Sequence, residues 1–262
     1  MASRDRRPPP RAALAIAGLD PSGGAGVLAD AVAMAKEGVH PLGVVTAITT
    51  QTAKGVRAVD PVSPAVLRRQ IAALLQDQPV HAAKTGLLPS AAHVSAVAAA
   101  LPEDVPLVVD PVIASSGGFR FLDAAGVRRL RATLIPRATL LTPNLPEAAL
   151  LTGARVRTLA ERRKAAEALR RLGARAVLVK GGHGAGDDLV DVLLDAEGFL
   201  ELRGPRIGDG AHGTGCALAS AIAAHLALGE RLRDAVRAAR ERVRARMAAA
   251  RRFGRGRPVL GA

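Results

Sequence analysis

Ala12-Ala13-Leu14-Ala15-Ile16-Ala17, then Gly18-Leu19-Asp20-Pro21-Ser22-Gly23-Gly24-Ala25-Gly26, then Val27–Glu37 with Asp30 inside it, reads as a strand, a glycine-rich loop and a helix in succession. A short aliphatic run with no polar alternation fits a strand covered on both faces, which is the habit of parallel sheets. The loop resembles a dinucleotide or phosphate turn only in its glycine content. Its spacing departs from G-x-G-x-x-G, and the chain has no G-x-x-x-x-G-K-[ST]. Its glycines are read as bringing the backbone close to a small flat ligand.

The same alternation continues along the chain. Strands are expected at Ala12–Ala17, Gly43–Ile48, Val80–Lys84, Leu107–Val112, Thr139–Thr142, Ala176–Lys180 and Val190–Leu194, with Leu200–Arg203 as an antiparallel edge. Helices are expected at Val27–Glu37, Pro64–Gln76, Ala91–Leu101, Ala124–Leu134, Leu159–Leu172, Gly215–Leu228 and Leu232–Arg252. Ser63-Pro64 supplies an N-cap and a proline at the first helical position. Strands alternating with helices give an α/β fold with a mostly parallel central sheet. The last helix repeats Leu232, Val236, Ala239, Val243, Met247 and Ala250 at steps of three and four, so one stripe faces the body and arginines face outward. That stripe lacks the bulky residues of a membrane-surface helix.

Composition narrows the function classes. The 262 residues are 49% hydrophobic, enough for one α/β domain, and no obvious linker divides them. One cysteine excludes an internal disulfide and a cysteine-rich zinc site, which makes a reducing, cytoplasmic setting the expectation. No apolar run reaches membrane-span length, and the Arg/Pro-rich start lacks the apolar core of a secretory signal. The net charge of +14 would ordinarily suggest nucleic acid, but residues 1–11 hold +3 of it and residues 230–257 hold +8. With Tyr and Trp absent and four Phe in all, a base-stacking surface is hardly available. Solvated basic ends are the plain reading. The expected organisation is a disordered basic tail at 1–11, one domain at 12–253 and a C-terminal tail at 254–262.

In open parallel sheets ligands bind beyond the carboxyl ends of the strands, so the polar residues there are the candidates. Gln51 offers a donor and an acceptor side by side, matching the edge of an aminopyrimidine. A loop glutamine is more often just solvated. Asp110 follows one run, Asn144 and Glu147 form an N-x-x-E after the next, and Lys180 ends another. Carboxylates can hold Mg²⁺ directly or through water, and a lysine can neutralise a transferring phosphate. His212-Gly213-Thr214-Gly215-Cys216 then leads into an apolar helix. Glycines at a loop-to-helix junction let backbone N–H groups converge on an anion, and a thiol beside that site could act as a general base. The plain alternatives are a tight turn and a small buried hydrophobe.

Taken together, Ala17–Gly26, Gln51-Thr52, Lys84-Thr85-Gly86-Leu87-Leu88, Val109-Asp110-Pro111-Val112, Thr142-Pro143-Asn144-Leu145-Pro146-Glu147, Val179-Lys180-Gly181-Gly182-His183 and His212–Cys216 resemble the hydroxymethylpyrimidine and phosphomethylpyrimidine kinases of thiamin biosynthesis. The resemblance covers about residues 12–229. Sugar kinases of the wider ribokinase-like superfamily usually carry aspartate where Cys216 stands. The resemblance implies a ribokinase-like three-layer α/β/α sandwich that uses ATP and Mg²⁺ to phosphorylate 4-amino-5-hydroxymethyl-2-methylpyrimidine and then its monophosphate. It implies a pyrimidine pocket of Gly18, Ala25, Asp30, Gln51, Leu87 and Val112. Asp110 and Glu147 would organise the metal, and Asn144, Glu147, Lys180, Gly213 and Gly215 the nucleotide. The backbone of Gly213, Thr214, Gly215 and Cys216, with Lys180, would stabilise the transferring phosphoryl, and Cys216 would be the base. A cytoplasmic homodimer with no nucleic-acid or membrane partner is implied as well.

Several positions depart from the family pattern. Leu87 stands where methionine is common, Ser115 where lysine or threonine is common, and Ala211 where a polar residue usually precedes the histidine. The loop Gly182–Asp188 is short, and the chain after Leu228 matches only loosely. A pyridoxal-type kinase of the same fold is the near alternative, and a non-catalytic binding protein with basic ends the distant one.

Overall fold

The structure is a computed structural model, and it describes residues 10–52, 54–182, 188–208 and 210–261. Nine strands form one sheet: β1 (Ala12–Leu19), β2 (His40–Thr52), β3 (Gly55–Pro61), β4 (Ala82–Thr85), β5 (Leu107–Val109), β6 (Leu140–Leu141), β7 (Val177–Val179), β8 (Asp188–Asp195) and β9 (Gly198–Pro205). Their order is β3-β2-β1-β4-β5-β6-β7-β8-β9. The pairings from β2 through β7 are parallel, while β3, β8 and β9 pair antiparallel to their neighbours. The edge at Leu200–Arg203 is therefore antiparallel, as expected, and the central sheet is mostly parallel.

Helices cover both faces: α1 (Gly26–Lys36), α2 (Pro64–Asp77), α3 (Ala91–Ala100), α4 (Ala124–Thr133), α5 (Leu145–Thr152), α6 (Leu159–Arg171), α7 (Thr214–Ala227) and α8 (Leu232–Ala248). Strand β1 shows why this makes three layers. Leu14 and Ile16 pack into one core with Leu67 of α2, Val94 of α3 and Leu169 of α6. Ala13 and Ala15 point the other way, against Met34 of α1, Ile222 of α7 and Val236 of α8. Small residues on this second face let α1 and α7 lie close to the sheet.

Two elements escape the sequence pattern. Strand β3 is an outer strand with no fully buried residue, so it carries no aliphatic run. Helix α5 is eight residues long, shorter than periodicity can reveal, yet its start is chemically defined. Asn144 and Glu147 form a reciprocal capping box there, with Asn144 Oδ1 accepting from Glu147 N at 2.9 Å and Glu147 Oε2 accepting from Asn144 N at 2.8 Å.

The basic C-terminal region also differs from a solvated end. Arg233 pairs with Asp195 at 2.7 Å and Arg240 with Asp191 at 2.9 Å, both at the open side of the sheet. Arg240 also donates to the carbonyls of Leu202 and Arg203, and Arg244 to that of Pro205, so α8 caps the exposed edge of β9. Residues 254–261, expected as a tail, fold back: Val259 bridges both His212 and Arg251. Of the expected N-terminal tail, residues 1–9 lie outside the described residues.

Candidate active site

The carboxyl ends of the parallel strands open into a cleft of about 670 Å³, enough for a nucleotide and a small heterocycle together. Asp110 directly follows β5, Asn144 follows β6 and Lys180 follows β7, and a bridge pairs Asn144 with Lys180. The sheet thus collects at one rim residues that are far apart in sequence. Gln51 lies within β2, where the pairing with β3 shifts register between Thr50 and Gln51. Such an irregularity re-aims a side chain, and Gln51 lines the cleft.

At one end, Lys180 Nζ donates to Asp110 Oδ1 at 2.8 Å, and Thr142 Oγ1 donates to the same oxygen at 3.2 Å. Burial works against the Lys180 ammonium, but Asp110 and Glu147 outweigh it and hold the group above the usual lysine range. Glu147 is pushed up to about 7, first by burial and then by the Asp110 charge, against the pull of Lys180. Two carboxylates that oppose each other at a cleft wall suit a divalent cation, because a cation between them relieves the repulsion. Among the described residues no group of three or more His, Cys, Asp or Glu is arranged to hold a metal. Substrate phosphates and water would complete the coordination, as is usual for Mg²⁺.

The start of helix α7 is suited to an anion. No side chain caps its start, so its first backbone N–H groups face the cleft from the positive end of the helix. Gly213 precedes it with φ +78°, and a Cβ there would stand 1.8 Å from the Gly24 carbonyl oxygen, so only glycine fits. A Cβ on Gly215 would stand 3.2 Å from Lys180 Nζ and 3.9 Å from Asp110 Oδ2. The bare glycine therefore lets the helix start and the lysine–aspartate pair converge on one spot.

Cys216 lies in the next position and lines the same cleft. Burial pushes its thiol up to about 11, against the pull of the Lys84 ammonium, with Asp30 and Asp110 adding to the rise. The neutral thiol is therefore the resting form.

At the other end, Asp20, Gln51 and His212 form a cluster. His212 Nε2 lies 2.8 Å from Asp20 Oδ2 and 2.9 Å from Gln51 Nε2, and Gln51 Nε2 donates to Asp20 Oδ2 at 3.0 Å. Asp20 also accepts from Ser22 and from the Ala25 backbone. Burial alone would raise Asp20, but the bonds from His212 and Ser22 outweigh it and hold the carboxyl below the usual range. An ionised Asp20 calls for a protonated Nε2 on His212. The amide nitrogen of Gln51 is thus already oriented before any ligand arrives.

The cleft brings together Gly18, Ala25, Gln51, Leu87 and Val112 with Asp110, Asn144, Glu147, Lys180 and the turn from Gly213 through Thr214 and Gly215 to Cys216. Asp30 is the correction. It is fully buried beneath the cleft, accepting from Lys84 Nζ at 2.8 Å and from Ser220 Oγ at 2.8 Å, and is not among the lining residues. The resemblance implies a pocket residue at this position, but its face of α1 turns inward. Sequence reasoning missed the roles of Asp20 and His212, although both stood in quoted motifs. It also missed the wall that Val243, Met247 and Arg244 of α8 give the cleft. Nothing in the spacing of α8 reports which face meets a cleft and which meets a core. The loop expected at Gly182–Asp188, with His183, lies largely outside the described residues.

A family model described as phosphomethylpyrimidine kinase matches residues 20–260. The chain is 44% identical over 255 residues to the thiamine biosynthesis bifunctional protein ThiED of Geobacter sulfurreducens, a match covering 96% of this chain and 52% of that protein. It thus spans about half the length of that relative. It is also 44% identical over 236 residues to the hydroxymethylpyrimidine/phosphomethylpyrimidine kinase of Streptomyces coelicolor, covering 89% of this chain and 87% of the other. Among solved structures, an ADP complex of Bacillus subtilis pyridoxal kinase is similar with a TM-score of 0.88 at 30% identity, over 97% of each chain.

Proposed function

The chain belongs to the phosphomethylpyrimidine kinase family, and from that premise we propose that it transfers the γ-phosphoryl of ATP to 4-amino-5-hydroxymethyl-2-methylpyrimidine and then to the resulting monophosphate. The observation that carries this reading is the convergence at Gly215. A helix N-terminus, a lysine and the Asp110 carboxylate meet at one point of a cleft that Glu147 also lines and whose far end carries an oriented glutamine amide. Phosphoryl transfer needs little covalent help from a protein. It needs positioning and charge placed where the transition state develops it.

In the first step the acceptor hydroxyl oxygen bonds to the γ-phosphorus, the bond to ADP breaks, and the hydroxyl proton leaves. Lys180 and the N–H groups of Thr214, Gly215 and Cys216 stabilise charge on the transferring group. Asn144 and Glu147, at the capped start of α5, flank the nucleotide phosphates. Asp110 and Glu147 are the groups that would hold Mg²⁺, which when bound would neutralise phosphate charge. Cys216 takes the hydroxyl proton, and the Lys84 ammonium is the charge behind it that favours the thiolate. Gly18, Ala25, Leu87 and Val112 provide the flat walls for the pyrimidine, and Gln51 reads its polar edge.

The same cleft suits pyridoxal, another flat hydroxymethyl heterocycle, and the ADP-bound pyridoxal kinase shares the fold closely. An ATP-consumption assay with the pyrimidine alcohol, its monophosphate and pyridoxal separates the readings. Turnover of both pyrimidines is expected, and turnover of pyridoxal alone overturns the substrate assignment. Leu28 and Val32 on α1 and Ile48 on β2 are large exposed apolar residues, and they support a homodimer, tested by sedimentation. No described helix is long and apolar enough to cross a membrane, and a cytoplasmic enzyme without nucleic-acid or membrane partners is the reading we favour.

A further inference from the structure

His212 occupies an unusual position, because three separate parts of the chain meet on it. Its imidazole holds Asp20, which in turn accepts from the Gln51 amide, on the acceptor side of the cleft. Its backbone leads directly into Gly213 and the start of α7. Its own N–H donates to the Pro258 carbonyl at 2.8 Å, and it bridges Val259 in parallel. Val259 is in turn locked to Arg251 by a reciprocal pair, Val259 N to Arg251 O at 2.9 Å and Arg251 N to Val259 O at 3.2 Å. Further on, Gly261 N donates to Arg246 O at 3.1 Å and Arg246 Nε donates to Gly261 O at 3.0 Å, while Leu260 packs on the α7–α8 core. The segment after α8 is therefore anchored at both ends and presses on His212 from outside. Phe253 and Val259 also wall a shallow pocket with Ser22, Gln51 and Thr52.

We propose that residues 251–261 are a strap that positions His212, through which Val259 and Pro258 set both the Asp20–Gln51 acceptor cluster and the phosphoryl-binding turn that follows. The proposal rests on the kinase reading above but not on which heterocycle is the acceptor. A loop residue between Ala211 and Gly213, with Gly210 one position further back, has little intrinsic rigidity, since both glycines adopt the positive φ open to a residue without Cβ. Among the described residues, the main-chain partner of the His212 N–H is Pro258. Without the strap the imidazole keeps its partners but loses the fixed backbone from which it reaches them, and a small misplacement at a reacting centre costs rate out of proportion to its size. The strap's side chains are only half-buried or exposed and of them Leu260 touches the α7–α8 core from its rim, so removal of the strap should leave the buried residues of both cores in place.

The test uses three full-length variants and one shortened chain. A chain ending at Arg252, and Val259→Pro, which deletes the N–H that locks the strap to Arg251, should each raise the acceptor KM at least fivefold and lower kcat about tenfold. KM for ATP should stay within about threefold, and Val259→Ile and the exposed Arg255→Ala should behave as the parent. A strap that only stabilised the fold would lower kcat with the folded fraction and leave the acceptor KM unmoved. Unchanged acceptor KM in folded Val259→Pro or in the shortened chain overturns the proposal, and so does unfolding of both. If the parent turns over only pyridoxal, the acceptor KM is read with pyridoxal. If the parent shows no kinase turnover, the kinase reading fails instead. The strap is then judged by hydrogen exchange at the His212 amide, where equal exchange with and without residues 253–262 overturns it.

Discussion

Two lysine–aspartate pairs lie at the carboxyl ends of this sheet, each with a 2.8 Å contact, and they do opposite things. Lys84–Asp30 is sealed, with both side chains at 0% exposure, and Ser220 satisfies the second carboxylate oxygen. Lys180–Asp110 faces the cleft, with the lysine 14% exposed, and its third member is the carboxylate of Glu147. The sealed trio sums to no net charge, while the open trio carries one negative charge too many whenever Glu147 is ionised. Geometry alone would not separate structure from chemistry here. The identity of the third group and the access to solvent do: a neutral hydroxyl closes a pair, and a surplus carboxylate leaves it in need of a cation.

The largest effect should come from breaking the sealed pair. Lys84→Met strands a buried carboxylate, and losing one partner of such a pair costs about 3–5 kcal/mol. Denaturant unfolding should show that loss, and Lys84→Met with Asp30→Leu should recover much of it. Full stability in Lys84→Met alone would mean that Asp30 is not ionised in the fold. Lys180→Met should weigh the other way, dropping kcat a hundred- to a thousandfold, in line with the roughly 2.7–4 kcal/mol for one preorganised charge-stabilising group, while its unfolding midpoint falls less than that of Lys84→Met because Glu147 can take up a proton in place of the lost ammonium. A variant that lost stability but kept its rate would exchange the roles assigned to the two pairs.

The sequence made the open pair legible and hid the sealed one. Asp110 and Lys180 follow short aliphatic runs, so a parallel sheet had to bring them to one rim. Lys84 ends such a run as well, and nothing in the local pattern says that the end of β4 lies under α7 rather than in the open. That depends on Ser220, 136 positions away, meeting Asp30. Asp30 was misplaced for the same reason, because the inward face of α1 is decided by α7 and β4 and not by α1 itself. Asn144 and Glu147 were legible as chemistry but not as a helix start, although one N-x-x-E serves both purposes. The basic C-terminal region was least legible, since arginines that pair with Asp191 and Asp195 have the same composition as arginines in water.

Cys216 stands between the two pairs, and its pH response tells which one governs it. Its thiol is held up to about 11, so the thiolate fraction grows about tenfold per pH unit through the neutral range. If Cys216 accepts the hydroxyl proton, kcat for the first phosphorylation should climb with pH from 7 to 9, and Cys216→Ala should flatten the profile and lower the rate. The second phosphorylation starts from an acceptor that is already largely anionic, so Cys216→Ala should slow it less. Equal losses in the two steps, assayed separately, would assign Cys216 to positioning.

The smallest effect isolates the surplus charge itself. Glu147 is pushed up to about 7 in the folded chain, against an ordinary value of 4.5. A group that binds its proton more tightly when folded adds stability that is fully present below pH 4.5 and is lost as pH rises through 7. Without ligands the parent should therefore lose stability across that window, beyond what other groups contribute. Glu147→Gln removes the titration yet keeps the capping box, because glutamine reaches back to the helix start as glutamate does. Its unfolding free energy should fall less between pH 4.5 and 7 than the parent's. Because the neutral amide no longer repels Asp110, the parent and the variant should differ most at the alkaline end, where Glu147 is ionised. Identical slopes would mean that neither burial nor the Asp110 charge holds the Glu147 proton in the folded chain, and the open pair would then have no more call for a cation than the sealed one.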